Sequence, residues 1–209
     1  MKSKSTMEKF RKLLIATRNK GKFPEITAKL VGLSFEFLNL SDIADLPKDF
    51  EVDEPAMTFE GNAIAKAMVI GMKTGLTTLA DDSGLEVDAL GGKPGVFSAR
   101  YAPGTDEDRC KKLLHEMEVV PDGERGAQFH SVIAIYNPMQ DKLRTCEGIV
   151  RGKIAREPRG ANGFGYDPIF FILELGKTTA ELSIEEKNKI SHRGKALEHA
   201  RELLQSDFQ

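Results

Sequence analysis

Apolar positions along this chain recur with two periods, and the changes from one to the other outline its elements. Residues 13–17 form a short apolar run of the kind buried inside a sheet. Pro24 then opens a helix through about Leu30, where the missing proline N–H has no partner to lose. Residues 34–40 read as a returning strand, and the acidic, proline-containing stretch 42–55 as loop. Across 58–75, Phe59, Ala63, Ala67 and Gly71 make an i, i+4 row widened by Ile64 and Met68, which predicts a helix. Residues 76–80 are a short buried strand, and 85–89 alternate as a second strand with one wet face. Thr105 caps a helix whose first turn is acidic, as the helix dipole favours, with Cys110, Leu113, Leu114 and Met117 as its apolar row. Strands over 128–136 and 143–154 follow, joined by a turn at 137–141, the second with a kink at Gly148. The glycine-rich stretch 159–167 leads into a core strand over 168–173. Ser183 and Glu186 form a capping box, and Ser191 starts a last helix through Leu204.

Composition is that of an ordinary soluble globular protein. A chain of 209 residues with 40% hydrophobic and 30% charged content can bury a real core. No linker, repeat or low-complexity tract divides it, so 11–209 reads as a single domain. Residues 1–10 are basic and polar without the apolar region of a signal peptide, and read as a disordered extension in which Met7 is an alternative start. The net charge of −2 gives no field to recruit nucleic acid or an anionic membrane, and no apolar run approaches membrane-spanning length. Cys110 and Cys146 show no CxxC spacing and read as reduced thiols of a cytoplasmic protein. The four histidines lack zinc-ligand spacing.

The candidate chemistry begins where the strand over 76–80 runs into Asp81, Asp82, Ser83 and Gly84. Successive strand side chains face opposite ways, so both carboxylates meet one ligand only if the chain bends. Ser83-Gly84 is read as that bend, at the carboxyl edge of a sheet where ligands gather. A carboxylate there can hold Mg²⁺ and orient a water; the plain alternative is a turn with one Asp capping a backbone N–H and the other solvated. Arg18-Asn19-Lys20-Gly21-Lys22, between a strand and a helix N-terminus, makes either a phosphate site or a solvated basic loop. It is not a Walker A loop, since GxxxxGK followed by Ser or Thr occurs nowhere in the chain. Asp49, Glu51, Asp53 and Glu54 each offer a second metal ligand. Lys66 shares a helix face with Asn62 amid apolar neighbours, which points to a pocket or to a stem reaching out to water. Phe164 can stack on a purine, because the glycines beside it let a ring approach a flat ligand. The alternative places Phe164 and Tyr166 at the start of the next core strand, and for Tyr166 that is the reading adopted. His192 and Arg193 fall in the first turn of the last helix and face whatever lies at its N-terminus.

Six stretches in order carry a resemblance. They are Thr17 to Lys22, Thr58-Phe59-Glu60-Gly61-Asn62-Ala63 with Lys66, and Ala80-Asp81-Asp82-Ser83-Gly84-Leu85, followed by 92–101, 163–168 and Ser191-His192-Arg193. Together they span residues 13 to about 200, and the chain resembles the inosine triphosphate pyrophosphatase (HAM1-like) family. Gly61 stands where an acidic residue is usual, and the N-terminus is longer. The resemblance implies an α/β fold with a long mixed central sheet, flanking helices, and two lobes with a nucleotide cleft between them. It implies hydrolysis of ITP, dITP and XTP to the monophosphate and pyrophosphate, and a homodimer. Asp82 would bind Mg²⁺ and accept the proton of the attacking water, with Glu54 as the other acidic ligand. Lys22 and Lys66, with Thr17 and Asn19, would hold the triphosphate, and Arg18, Lys20 and Gly21 complete that loop. Phe164, Asp167, Lys187, His192 and Arg193 would form the base pocket, Gly165 and Tyr166 lie within the same motif, and Ser83 would be a further substrate contact. Two rivals keep the same residues: a nucleotide-sensing domain without hydrolysis, and a nucleic-acid-binding protein, against which the charge and the lack of tryptophan argue.

Overall fold

Local signals open most of the helices. The computed structural model describes residues 11–47 and 49–208; the N-terminal extension lies outside the described residues. Thr58 Oγ1 accepts from Gly61 N–H to start α2 (Phe59–Thr74). A Cβ on Gly61 would come within 2.7 Å of Ala56 Cβ, so the missing acid at that position makes room for the incoming loop. Thr105 and Asp108 form a reciprocal capping box on α3 (Asp106–Glu116), and Ser183 and Glu186 do so on α4 (Ile184–Ile190). Ser191 caps α5 (His192–Ser206) through Gly194 N–H.

Among the described residues seven strands form one mixed sheet in the order β2-β1-β3-β4-β5-β6-β7. They are β1 (Arg11–Ile15), β2 (Phe35–Asn39), β3 (Thr77–Val87), β4 (Gly126–Asn137), β5 (Lys142–Ile154), β6 (Phe170–Ile172) and β7 (Lys177–Thr178). β1 runs parallel to β2 and β3, and all later pairs are antiparallel. The helix after β1 is α1 (Lys22–Leu30). On one face, Leu79, Ile133 and Ile135 pack under α1 and α5, while farther along Leu85, Val87 and Phe129 pack under α3 and the 166–172 segment. The opposite face packs Ala80, Val132 and Ala134 against Phe59, Ala63 and Ala67 of α2.

Three expectations change. Residues 76–80 and 85–89 belong to one unbroken strand, because β4 pairs with every residue from Thr78 to Val87 and leaves no bend at Ser83-Gly84. What ends there is the other neighbour: the last β1 partner is Ile15, opposite Leu79, and beyond it β3 has an open edge until Glu86 bridges Pro94. The glycine is required by a close approach, since a side chain on Gly84 would collide with the Gly95 carbonyl and the Ser98 hydroxyl of the 3₁₀ helix Gly95–Arg100. The β4–β5 ladder also runs through Gly148 without interruption; the glycine admits the His192 carbonyl and Ala196 nitrogen of α5. Finally, Asp167–Ile169 forms a 3₁₀ turn before β6, so the core strand begins at Phe170.

Candidate active site

A cleft of about 600 Å³ opens where β1 leaves β3, floored by Asp81, Asp82, Ser83 and Gly84. With β3 straight, the two aspartates point to opposite faces of the sheet and meet different partners. The Asp81 carboxylate receives Lys22 Nζ at 2.7 Å, Ser131 Oγ at 2.5 Å and the Arg193 guanidinium at 3.2 Å. Burial alone would raise its pKa, but Arg193, Lys22 and these hydrogen bonds outweigh burial and hold the carboxyl well below its usual range. Burial also pushes the Lys22 ammonium down, and the attraction of Asp81 only partly opposes this.

On the other face, Lys66 Nζ stands 2.9 Å from both an Asp82 and a Glu54 oxygen. Burial opposes the Lys66 charge, yet these two carboxylates raise its pKa overall. Burial likewise raises Glu54, and Lys66 reverses the sign so that its pKa lies below the usual value. The acidic loop comes to Asp82 through the buried Asn62, whose amide accepts from Ala56 N–H and donates to Ala56 O and Asp82. Of the reading that left Lys66 between pocket and solvent, the structure takes the pocket.

The far end of the cleft is aromatic and cationic. The Phe164 ring has Lys187 Nζ 4.8 Å and the Arg193 guanidinium carbon 5.5 Å from its centre. Asp167, buried, accepts from Phe164 N–H at 2.8 Å and from Lys187 Nζ at 2.6 Å. Glu25, in the first turn of α1, ties Lys187 (2.8 Å) to Arg193 (2.6 Å). His192 stacks on Phe129 with centroids 4.6 Å apart, and its Nδ1 has no partner among the described residues. Burial, together with the nearby Arg193 charge, holds its pKa well below the usual value and keeps the ring neutral.

Residues 13–203 match the Ham1 family. The chain belongs to that family. It is 54% identical over 188 residues to a dITP/XTP pyrophosphatase of Geobacter sulfurreducens, covering 89% of this chain and 92% of that one. A dITP/XTP pyrophosphatase of Bacillus licheniformis is 48% identical, with 93% and 98% covered. Among solved structures, the Staphylococcus aureus Ham1 protein superposes with a TM-score of 0.82 at 39% identity, covering 94% of this chain and 100% of that one. A HAM1 protein from Coxiella burnetii gives 0.83 at 43% identity, covering 93% and 98%.

In this Ham1 chain the cleft brings together Thr17, Arg18, Asn19, Lys22, Glu54, Lys66, Asp82, Ser83, Phe164, Gly165, Tyr166, Asp167, Lys187, His192 and Arg193. Their parts differ. Thr17 and Asn19 shape the loop, accepting from Asn19 N–H and Gly21 N–H respectively, and Arg18 donates to the Phe50 and Pro47 carbonyls. Lys20 is exposed and stands outside the lining, and Gly21 lies flat against the Phe164 ring, where any side chain would clash. Tyr166 is a core residue, buried, with its hydroxyl donating to Ser98 O at 3.0 Å. Glu25 and Ser131 were missed. Glu25 lies three residues after Lys22 and so shares its helix face, a signal available in the sequence. Ser131 reaches Asp81 only because β4 sets it opposite Ser83, which no local pattern reveals.

Proposed function

We propose that this chain hydrolyses ITP, dITP and XTP to the monophosphate and pyrophosphate, with the triphosphate beside Lys22 and Lys66 and the base on Phe164. One observation carries the reading: a single cleft joins two carboxylates converging on Lys66 to an aromatic face backed by cations. The names of the related pyrophosphatases support it. Cleavage between the α and β phosphates forms a bond from water oxygen to the α-phosphorus and breaks the bond to the bridging oxygen. Asp82 takes the proton of the attacking water. Lys22 and Lys66 place positive charge where negative charge grows on the phosphates.

Glu54 and Asp82 would hold Mg²⁺. Hard carboxylate oxygens suit that ion, which commonly takes one or two of them and fills its shell with water and phosphate oxygens. The donor set fits: two carboxylates already share one cation, and among the described residues no cluster of three His, Cys, Asp or Glu forms a fuller cage. When bound, the ion would polarise the phosphoryl oxygens.

Base choice falls to the start of α5. The Arg193 side chain donates to Glu25, Asp81 and Ser83, which leaves one N–H of its guanidinium for the base. The backbone N–H groups of His192 and Arg193 have no acceptor among the described residues and suit the 6-carbonyl of hypoxanthine or xanthine. The amino group of adenine would meet them donor to donor. Pyrophosphate release from ITP with little from ATP is the expected result; equal kcat/KM for the two would overturn the base assignment, and no release from ITP the whole reading. A homodimer in the cytoplasm completes the proposal. No helix among the described residues is long and apolar enough to cross a membrane, and Phe97 is left exposed on the 3₁₀ helix. Sedimentation as a 23.1 kDa monomer at micromolar concentration would refute the dimer.

A further inference from the structure

The loop that carries Phe164 is held at Gly165 by the first turn of α3. Gly165 N–H donates to Asp106 Oδ2 at 2.7 Å, and the Cys110 thiol donates to Gly165 O at 3.4 Å. The other Asp106 oxygen accepts from the Arg109 guanidinium, which also donates to Gly104 O at 3.3 Å. Arg109 lines the cleft, and its guanidinium is one carboxylate away from Gly165. An arginine carries five N–H donors and no acceptor, so donors remain on this cleft-lining residue beyond those spent on Asp106 and Gly104.

Phe164 and Gly165 thus join two sets of contacts. Lys187 and Arg193 meet the Phe164 ring, while Asp106 holds Gly165 and carries Arg109. A purine stacked on Phe164 with its 6-carbonyl toward α5 carries position 2 on the same edge, one ring atom beyond N1, inside the cleft that Arg109 also lines. At position 2 hypoxanthine bears only hydrogen, xanthine bears a carbonyl, and guanine bears an amino group. A donor-only cation is attractive to the carbonyl, indifferent to hydrogen and opposed to the amino group.

We propose that Arg109 is the residue that reads purine position 2, favouring XTP and rejecting GTP. This rests on the placement of the base given above. A site that hydrogen-bonds a substrate group discriminates strongly against analogues that leave its donors unpaired.

The test compares kcat/KM for ITP, XTP and GTP in the wild type, Arg109→Met and Arg109→Lys. In Arg109→Met the XTP/ITP ratio should fall about tenfold or more, and the GTP/ITP ratio should rise, while Arg109→Lys keeps most of the XTP preference. A role confined to holding the loop would lower all three substrates together. Unchanged ratios, or a uniform loss in both variants, would overturn the assignment. A wild-type protein that releases pyrophosphate from none of the three would instead defeat the proposed function, and the two failures are distinct. The ratios are read within each variant, so a lower melting temperature leaves them interpretable.

Discussion

Asp81 and Asp82 are neighbours in one strand, carry the same group, and have opposite surroundings. The Asp81 side chain is 0% exposed and meets partners from α1, α5 and β4; the Asp82 side chain is 12% exposed and, among the described residues, bonds to Lys66 and Asn62 of α2. The difference comes from the alternation of a straight strand, which delivers adjacent residues to different helices. One carboxylate is built into the frame, and the other is left with room for chemistry. Adjacent acids in a sequence therefore need not share a ligand.

The largest test of this contrast is Asp82→Asn. The amide keeps the shape and can still bond Lys66 or Asn62, but it accepts no proton, so turnover should fall about 10²–10⁴-fold with circular dichroism and melting little changed. Near-normal pyrophosphate release would remove Asp82 from the mechanism. Asp81→Asn should do the reverse. It leaves Lys22 and Arg193 facing a neutral group in a buried network, which costs about 3–5 kcal/mol of stability by denaturant titration, with a smaller loss of turnover than Asp82→Asn. Equal activity losses in the two variants would mean that both carboxylates serve the reaction.

A finer cut is Ser131→Ala. It takes one buried donor from Asp81 and should cost about 1.5–3 kcal/mol in unfolding titrations while leaving KM for ITP in place. A changed KM without a stability loss would place Ser131 on the substrate instead.

The smallest effect is a pH slope. His192 has a folded pKa well below its reference value of 6.5, so the unfolded chain binds the proton more readily. Its contribution is complete above pH 6.5 and is lost as pH falls toward the folded value. Asp81 and Glu54, also lowered, act with the same sign but start from 3.8 and 4.5. Melting temperature should therefore drop between about pH 6.5 and 5, and His192→Phe should flatten that drop. An unaltered slope in the variant would assign it elsewhere.

Features written within a few residues were legible in the sequence. Thr105 with Asp108, Ser183 with Glu186, and Ser191 before His192 each start a helix as their spacing predicts. Thr17, Arg18, Asn19 and Lys22 of the basic loop, Lys66 and Phe164 likewise line one cleft. What failed depended on partners far along the chain. The supposed bend at Ser83-Gly84 was inferred from glycine chemistry, whereas the glycine answers to the Gly95 carbonyl pressing on it, and the open edge comes from β1 stopping at Ile15. The engagement of Arg193 by Glu25 joins residues 168 positions apart, and a pattern read over one helix turn cannot contain it.

β3 and β4 contribute residues to all three apolar clusters of the protein: Leu79 and Ile133 to one, Leu85 and Phe129 to the second, Ala80 and Val132 to the third. Each end of the molecule therefore depends on two strands that it shares with the other. A fragment cut at the cleft would lose a wall from each cluster, and heat should melt the protein in a single calorimetric step. For the same reason the β3 amide hydrogens that bond to β4 beneath the cleft should exchange only with the slowest class, although the opposite edge of that strand is open to the ligand.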